Sequence, residues 1–173
     1  LSDSRHGTYG KRIEDSFNRY LYNTDESWTV TTQNGLNYHF GKTTASQKVD
    51  PEDPTRIYEW MLDEIRDLNG NYIRFDYFKD QNEVYLAKVY YTGFGTASAA
   101  NDGPFKATFS YEDRLDDAIS YRSGFRVVTA RRLKQIQANV TGENTWRMWT
   151  FEYKVGQNQV RSLLSKIIES AQN

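Results

Sequence analysis

His6 and His39 are the only histidines in the chain, so any His-dependent acid–base chemistry must run through one of them. His6 lies in a polar lead-in and His39 between Tyr38 and Phe40, and no Gly-x-Ser-x-Gly elbow accompanies either. A Ser-His-Asp triad has nothing to rest on, and His39 reads as a strand residue facing solvent or a neighbour. Carboxylates are more plentiful. Asp50, Glu52 and Asp53, with Asp113, Asp116 and Asp117, could supply the facing pair that glycoside hydrolysis needs. Charged stretches between strands are ordinarily solvated, however, and exposed acids need no special account. Asp67, Asn69 and Asn71 alternate like the opening ligands of a calcium loop, but the twelfth position counted from Asp67 is Phe78, where such a loop needs a bidentate Glu. A β-turn with Asp67 accepting backbone hydrogen bonds explains the same three residues.

Arg126, Arg131, Arg132, Lys134 and Arg147, interleaved with Trp146 and Trp149, form a basic and aromatic stretch of the kind that can hold single-stranded nucleic acid or sugar. The aromatics stand at strand-core spacing, so sheet packing is the stronger reading. Gly93-Phe94-Gly95-Thr96 lacks both the spacing and the Gly-Lys-Ser/Thr ending of a phosphate loop, and Asn139-Val140-Thr141 is a formal glycosylation sequon. The residues therefore nominate no catalytic, cofactor-binding or metal-ligating position. The expectation is no enzyme and no cofactor.

Composition narrows the partners. Lys and Arg number 22 against 23 Asp and Glu, a formal charge of -1, which argues against a dedicated nucleic-acid or acidic-membrane binder. The absence of cysteine removes disulfides, thiolate metal sites and a thiol nucleophile. No apolar run approaches the ~18 residues that cross a bilayer as a helix, so membrane insertion by this segment is not expected. Only 38% of residues are apolar but 15% are aromatic, with 13 Tyr and 9 Phe, a balance suited to strands packed by rings. With 173 residues a single β-rich module over 1–173 is the default, with 1–10 a flexible lead-in unless it pairs with a sheet edge. Leu1 is not an initiator Met, and the chain reads as a piece of a longer protein.

The elements that must position these residues are mostly strands. Asp67-Leu68-Asn69-Gly70-Asn71 followed by Tyr72 to Tyr77 joins a turn signal directly to aromatic and β-branched residues, and Asn-Gly predicts a tight two-residue hairpin with positive φ at both positions. Trp28–Thr31, Asn34-Gly35 and Leu36–Phe40 repeat that pattern. Phe105, Ala107, Phe109 and Tyr111 alternate with Lys106, Thr108 and Ser110 on a clean two-residue period. Val84–Tyr91, Phe125–Ile136 and Trp146–Tyr153 read as further strands, with Lys79–Asn82 and Glu112–Asp117 as charged or polar turns. Gly95–Gly103 is the loosest loop and the first candidate for mobility. Three segments fit both helical and extended periods: Lys11–Tyr22, Ile57–Ile65 and Val160–Ser170. Strand is preferred for each, for Ile57–Ile65 because it runs straight into the Asn69-Gly70 turn.

In order along the chain, Ser27–Thr31, Asn34-Gly35, Tyr38–Gly41, Trp60–Leu62, Asp67–Asn71, Lys88–Gly93, Phe109–Asp116, Gly124, Arg132–Ile136 and Phe151–Tyr153 resemble a known family. They are similar to the N-terminal region of SpvB-type virulence proteins and of the B components of bacterial insecticidal toxin complexes, relatives of the Rhs/YD-repeat proteins. The resemblance spans about Tyr9 to Ile168. It implies large secreted or cell-surface bacterial proteins whose β-ribbons form a shell or scaffold, enclosing or delivering a toxic C-terminal domain in some members. Some SpvB-type proteins carry a C-terminal ADP-ribosyltransferase with a Glu-x-Glu pair, and no two glutamates here have that spacing. The expected fold is all-β, mainly antiparallel hairpins and meanders with at most one or two short helices. The expected role is a non-catalytic structural module of a toxin or virulence protein, whose partners are other regions of the same parent polypeptide or toxin-complex subunits. The alternative is a carbohydrate- or protein-binding β-module that uses exposed aromatic side chains.

Overall fold

The computed structural model describes residues 5–144, 146–157 and 160–172. Eleven strands form one antiparallel sheet laid down almost in chain order: β1 (Gly7–Tyr9), β2 (Arg19–Tyr22), β3 (Trp28–Thr31), β4 (Asn37–Phe40), β7 (Leu62–Arg66), β8 (Asn71–Asp80), β9 (Glu83–Phe94), β10 (Phe105–Ser120), β11 (Val127–Val140), β12 (Trp146–Val155) and β13 (Ser162–Gln172). Between β4 and β7 the chain leaves the sheet to make a two-stranded ribbon of β5 (Gln47–Val49) and β6 (Ile57–Trp60), entered through a 3-10 turn at Thr44–Ser46. The all-β antiparallel meander is thus the fold that the alternating segments imply, and Val160–Ser170 resolves as strand.

Four local expectations are corrected. Lys11–Asn18 is neither helix nor strand, and only Arg19–Tyr22 is extended. Ile57–Ile65 is extended but broken at Met61, whose N–H donates to Ser46 O (2.7 Å) while its carbonyl accepts from Gly41 N (2.9 Å). One half of the segment therefore pairs in the ribbon and the other in the main sheet. The charged Glu112–Asp117 is not a turn: it lies inside β10, where Glu112 and Asp113 stand opposite Arg132 and Arg131. Opposite charges directly across strands make a charged run compatible with a sheet.

The fourth concerns the hairpins. Asn69-Gly70 is not a two-residue turn, because Gly70 N donates to Asp67 O (3.4 Å), Asp67 N to Asn71 O (3.0 Å), and only Gly70 carries positive φ, at 90°. This is a three-residue loop whose left-handed glycine closes a bulge, and Thr32–Leu36 repeats it around Gly35 at φ 82°. The two-residue turn with positive φ at both positions falls instead on Gln81 (49°) and Asn82 (65°). Tertiary bonds hold it there: Val128 N donates to Gln81 O (3.1 Å) and Asn82 Nδ2 to Arg126 O (2.9 Å).

Of the polar lead-in, Gly7–Tyr9 pairs with β2 as a short edge strand. The Gly95–Gly103 loop, expected to be loose, is anchored. Phe94 N donates to Asn101 O (3.0 Å), Gly95 N to Gly70 O (2.9 Å), and the 2%-exposed Asp102 takes bonds from Arg74 Nε (2.9 Å) and Tyr72 Oη (3.1 Å).

Candidate interaction surface

Register across the sheet sorts the side chains into two faces. One carries Thr29, His39, Glu64, Arg74, Tyr90, Lys106, Asn139, Trp146 and Gln172, each opposite the next across neighbouring strands. The other carries Tyr20, Val30, Tyr38, Ile65 and Ile73, then Phe75, Val89, Ala107 and Ala138, then Phe109, Ile136 and Trp149. Alternation thus produces one polar and one apolar face, as a half-buried antiparallel sheet should have.

The cover is on the unexpected side. The segment after β4 and the Gly95–Gly103 loop lie over the polar face, burying Ser46, Asp63, Glu64 and Asp102. On the apolar face every residue named above is only half-buried, and cover is found at one end, where Tyr22 and Trp28 share the face and Trp60 of the ribbon packs on them, burying Tyr22. Leu36, Ile65, Ile73 and Tyr91 line an open concavity of about 410 Å³ on the apolar face. The accessible surface of 11131 Å² for 20.2 kDa exceeds by roughly 2,400 Å², over the chain as a whole, what a compact monomer of this mass exposes. That excess is larger than the ~800 Å² each partner buries in an ordinary protein–protein interface.

The residues weighed for chemistry are dispersed or already engaged. His6 stacks on Tyr22 at 5.1 Å, while His39 sits in β4 beside Thr29 (3.2 Å), with its basicity lowered chiefly by burial. Asp67 accepts from Asn71 Nδ2 (2.7 Å), Asn71 N (2.8 Å) and Asn69 N (2.9 Å), led by the side-chain amide, and these bonds hold its pKa below the usual range. The turn reading of the Asp67-Asn69-Asn71 triplet therefore stands. Asp50 and Asp53 cap their own loop, with Asp50 bound to Arg56 (2.9 Å) and Asp53 to Thr55 (2.6 Å). Asp113 pairs with Arg131 at 2.6 Å. Asp116, held well below the usual carboxylate range first by Arg114 and then by Ser162, ties β10 to the start of β13 through Ser162 N (2.8 Å) and Oγ (2.9 Å).

A polar concavity of about 470 Å³ is lined by Asp63, Glu64, Arg74, Asp76 and Lys88 among others. Its acids are occupied: Asp63 by Lys42 N (2.6 Å) and Ser46 Oγ (2.8 Å), Glu64 by Arg66 (2.6 Å), Asp76 by Arg74. Burial nonetheless pushes the Asp63 pKa up, outweighing those bonds. Of the basic stretch, Arg132 and Lys134 meet Glu112 (2.7 and 3.2 Å), Arg131 also meets Asp80 (2.7 Å), and Arg147 meets Glu169 (3.4 Å). Trp146 faces the polar side and Trp149 the apolar side, so the two do not form one platform. Gly93 lies within β9 under the Tyr72 ring, and Asn139 within β11. Among the described residues there is no group of three or more potential metal ligands, and no helix long and apolar enough to cross a membrane. The uncovered face is the feature that sequence reasoning missed. Its residues alternate visibly, but alternation does not say whether a second layer follows.

The fold is a one-layer antiparallel meander whose carboxylates are engaged and whose apolar face is only partly buried. The chain belongs to the SpvB family: the profile of the Salmonella virulence plasmid 65kDa B protein matches residues 4–92. The mono(ADP-ribosyl)transferase SpvB of Salmonella typhimurium is 30% identical over 115 residues, and so is that of Salmonella choleraesuis. The match covers 54% of this chain and 19% of the relative, so it spans about a fifth of the curated proteins' length. The N-terminal domain of effector protein SpvB from Salmonella typhimurium superposes with a TM-score of 0.82 at 20% identity, over 96% of this chain and 69% of that one. A Photorhabdus luminescens Tc holotoxin pore superposes at 0.77 with 19% identity, over 94% of this chain and 10% of that one, and TcdB2-TccC3 at 0.74 with 18%, over 94% and 11%. The likeness to SpvB-type proteins and toxin-complex components read from the ordered motifs holds at the level of the whole fold.

Proposed function

We propose that the chain is a non-catalytic scaffold module of a secreted or cell-surface bacterial toxin or virulence protein, built into a longer polypeptide as one section of a β-shell. The observation that carries this reading is the only partly buried apolar face of the eleven-stranded sheet, from Tyr38 through Phe75 and Phe109 to Trp149. Leaving that much apolar surface in water forfeits ~25 cal/mol per Å², and other regions of the same polypeptide, or toxin-complex subunits, are the partners that would cover it. In the full-length SpvB relative and in the Tc holotoxin pore the matching part is 19% and 10% of the chain. The role of the module is then to hold and enclose, while any ADP-ribosyl transfer resides in a separate domain.

The test is deletion. Removing residues 1–173 from the polypeptide that carries them is expected to abolish its protease-resistant assembly, while a separately expressed toxic domain keeps its turnover unchanged. Turnover by residues 1–173 alone, lost on replacing Asp63 or Glu64, would overturn the non-catalytic reading. The alternative of a glycan-binding module has one point in its favour, the in-register Tyr90, Lys106, Asn139 and Trp146 on the flat polar face. Glycan-array binding that depends on Trp146 would favour it.

A further inference from the structure

Two Asn-Gly pairs, Asn34-Gly35 and Asn69-Gly70, sit in the three-residue hairpin loops, and asparagine is among the chemically labile residues. Before glycine its carboxamide is open to attack by the next backbone nitrogen, because no side chain shields that nitrogen. The two loops share a backbone but differ in what guards this reaction. At Asn34 the carboxamide oxygen accepts from Thr32 Oγ1 and Leu36 N, and Gly35 N donates to Thr32 O at 3.0 Å. The Leu68 side chain also crowds Gly35, where a Cβ would come within 2.7 Å of Leu68 Cδ1. At the exposed Asn69 the carboxamide makes no hydrogen bond among the described residues. Gly70 N reaches Asp67 O at 3.4 Å, longer than an ordinary N–H···O bond, and a Cβ on Gly70 would meet nothing nearer than Phe94 Cε2 at 3.7 Å.

We propose that Asn69, and not Asn34, is a site of spontaneous covalent modification, converting to β-linked aspartate (isoaspartate) and unfastening the loop around it. Gly70 N, after yielding its proton to base in the solvent, bonds to Asn69 Cγ, and the Cγ–Nδ2 bond breaks with release of ammonia to leave a cyclic imide. Water then opens the ring. Addition at Cγ gives aspartate, and addition at the main-chain carbonyl gives isoaspartate, in which the chain runs through the side chain and is a methylene longer. The balance is uptake of water and loss of ammonia, so no oxidant or cofactor is needed. The added methylene falls between Asn69 N and Asn71 N, which the single oxygen Asp67 Oδ1 holds at 2.9 and 2.8 Å, and the new carboxylate stands beside that of Asp67. Gly70 O, which accepts from Gly95 N at 2.9 Å, shifts with it, so the modification loosens the attachment of the Gly95–Gly103 loop.

The experiment follows ammonia loss at each site by peptide mass spectrometry while the 173-residue chain is incubated at mildly alkaline pH, folded and in denaturant. Asn69 in the folded chain is expected to convert within about threefold of its rate in the unfolded chain, and Asn34 about tenfold or more slower than its own unfolded rate. Amide exchange at Gly95 should then be about tenfold faster in the converted protein, while Asn69→Gln incubated alongside keeps the starting rate. Protection of Asn69 equal to that of Asn34 would overturn the proposal, and so would preferential conversion at Asn34. A Gly95 amide that exchanges no faster after conversion would overturn the loosening assigned to it.

Discussion

Replacing Asp102 with alanine is expected to destabilise the chain by about 3 kcal/mol, because removing one partner of a buried charge pair leaves the other uncompensated. Asp102 is almost fully buried, and its carboxylate holds Arg74 through both Nε and Nη2 while accepting from Tyr72 Oη. Arg74 in turn bonds Asp76 and lies over the Tyr90 ring at 4.4 Å, so the one aspartate fixes a row that crosses β8 and β9 and pins the Gly95–Gly103 loop. The guanidinium is a quarter exposed and keeps Asp76 as a partner, which places the loss at the lower end of the range for buried pairs. For a domain of this size the melting temperature should fall by about 6–12 °C. Asp102→Asn, which keeps an acceptor but drops the charge, should cost about half as much. A change within about 0.5 kcal/mol for the alanine variant would mean that the loop is not anchored as described.

Trp60→Ala should cost a similar amount, about 3 kcal/mol, from lost ring contacts and the cavity left behind. Trp60 joins the β5–β6 ribbon to the main sheet. Its ring stands edge-on to Trp28 (6.2 Å, 85°) and Tyr22 (6.1 Å, 82°), and its Nε1 donates to Glu26 O at 2.7 Å, holding Glu26 at φ 62°. Gly41 admits the ring only because it lacks a side chain, since a Cβ there would lie 2.2 Å from Trp60 Cδ1. Trp60→Phe retains the edge contacts and loses the hydrogen bond, for about 1 kcal/mol. Chemical denaturation of the three proteins separates the two contributions, and an alanine variant as stable as the parent would show that the ribbon is not clamped through this ring.

What was legible in the sequence is what local periodicity controls. Phe105–Tyr111 alternates, and the structure places Phe105, Ala107 and Phe109 opposite Val140, Ala138 and Ile136 on one face. The segments that misled are those whose conformation is set by distant partners. Met61 interrupts an extended run because Ser46 and Gly41 claim its two backbone groups, and nothing within Ile57–Ile65 marks the break. Glu112–Asp117 has the composition of a turn and becomes strand because Arg131, Arg132 and Ser162 meet its carboxylates. Gly95–Gly103 looks loose until Asp102 finds Arg74, 28 positions earlier. Asn-Gly marked the two hairpins correctly but not their turn geometry, while Gln81-Asn82 took the tighter turn because Arg126 and Val128 bind it.

Asp63, Glu64, Asp76, Asp113 and Asp116 are each bound to backbone or cationic partners, including the three, Asp63, Glu64 and Asp76, that border the polar concavity. The surface on which the proposed role rests is the apolar one. Membership of the SpvB family agrees with that emphasis, since the matched structures present the same sheet as a fraction of a larger chain.

The central claim, that the apolar face is an interior surface of a larger assembly, is tested most directly by hydroxyl-radical footprinting of Tyr38, Phe109, Trp149 and Phe151. The 173-residue chain alone should be oxidised at these partly exposed rings. Within the longer polypeptide their modification should fall by about fivefold or more, while Tyr121, exposed at the β10–β11 turn, stays as reactive as before. Equal reactivity of the four rings in the two settings would contradict the account.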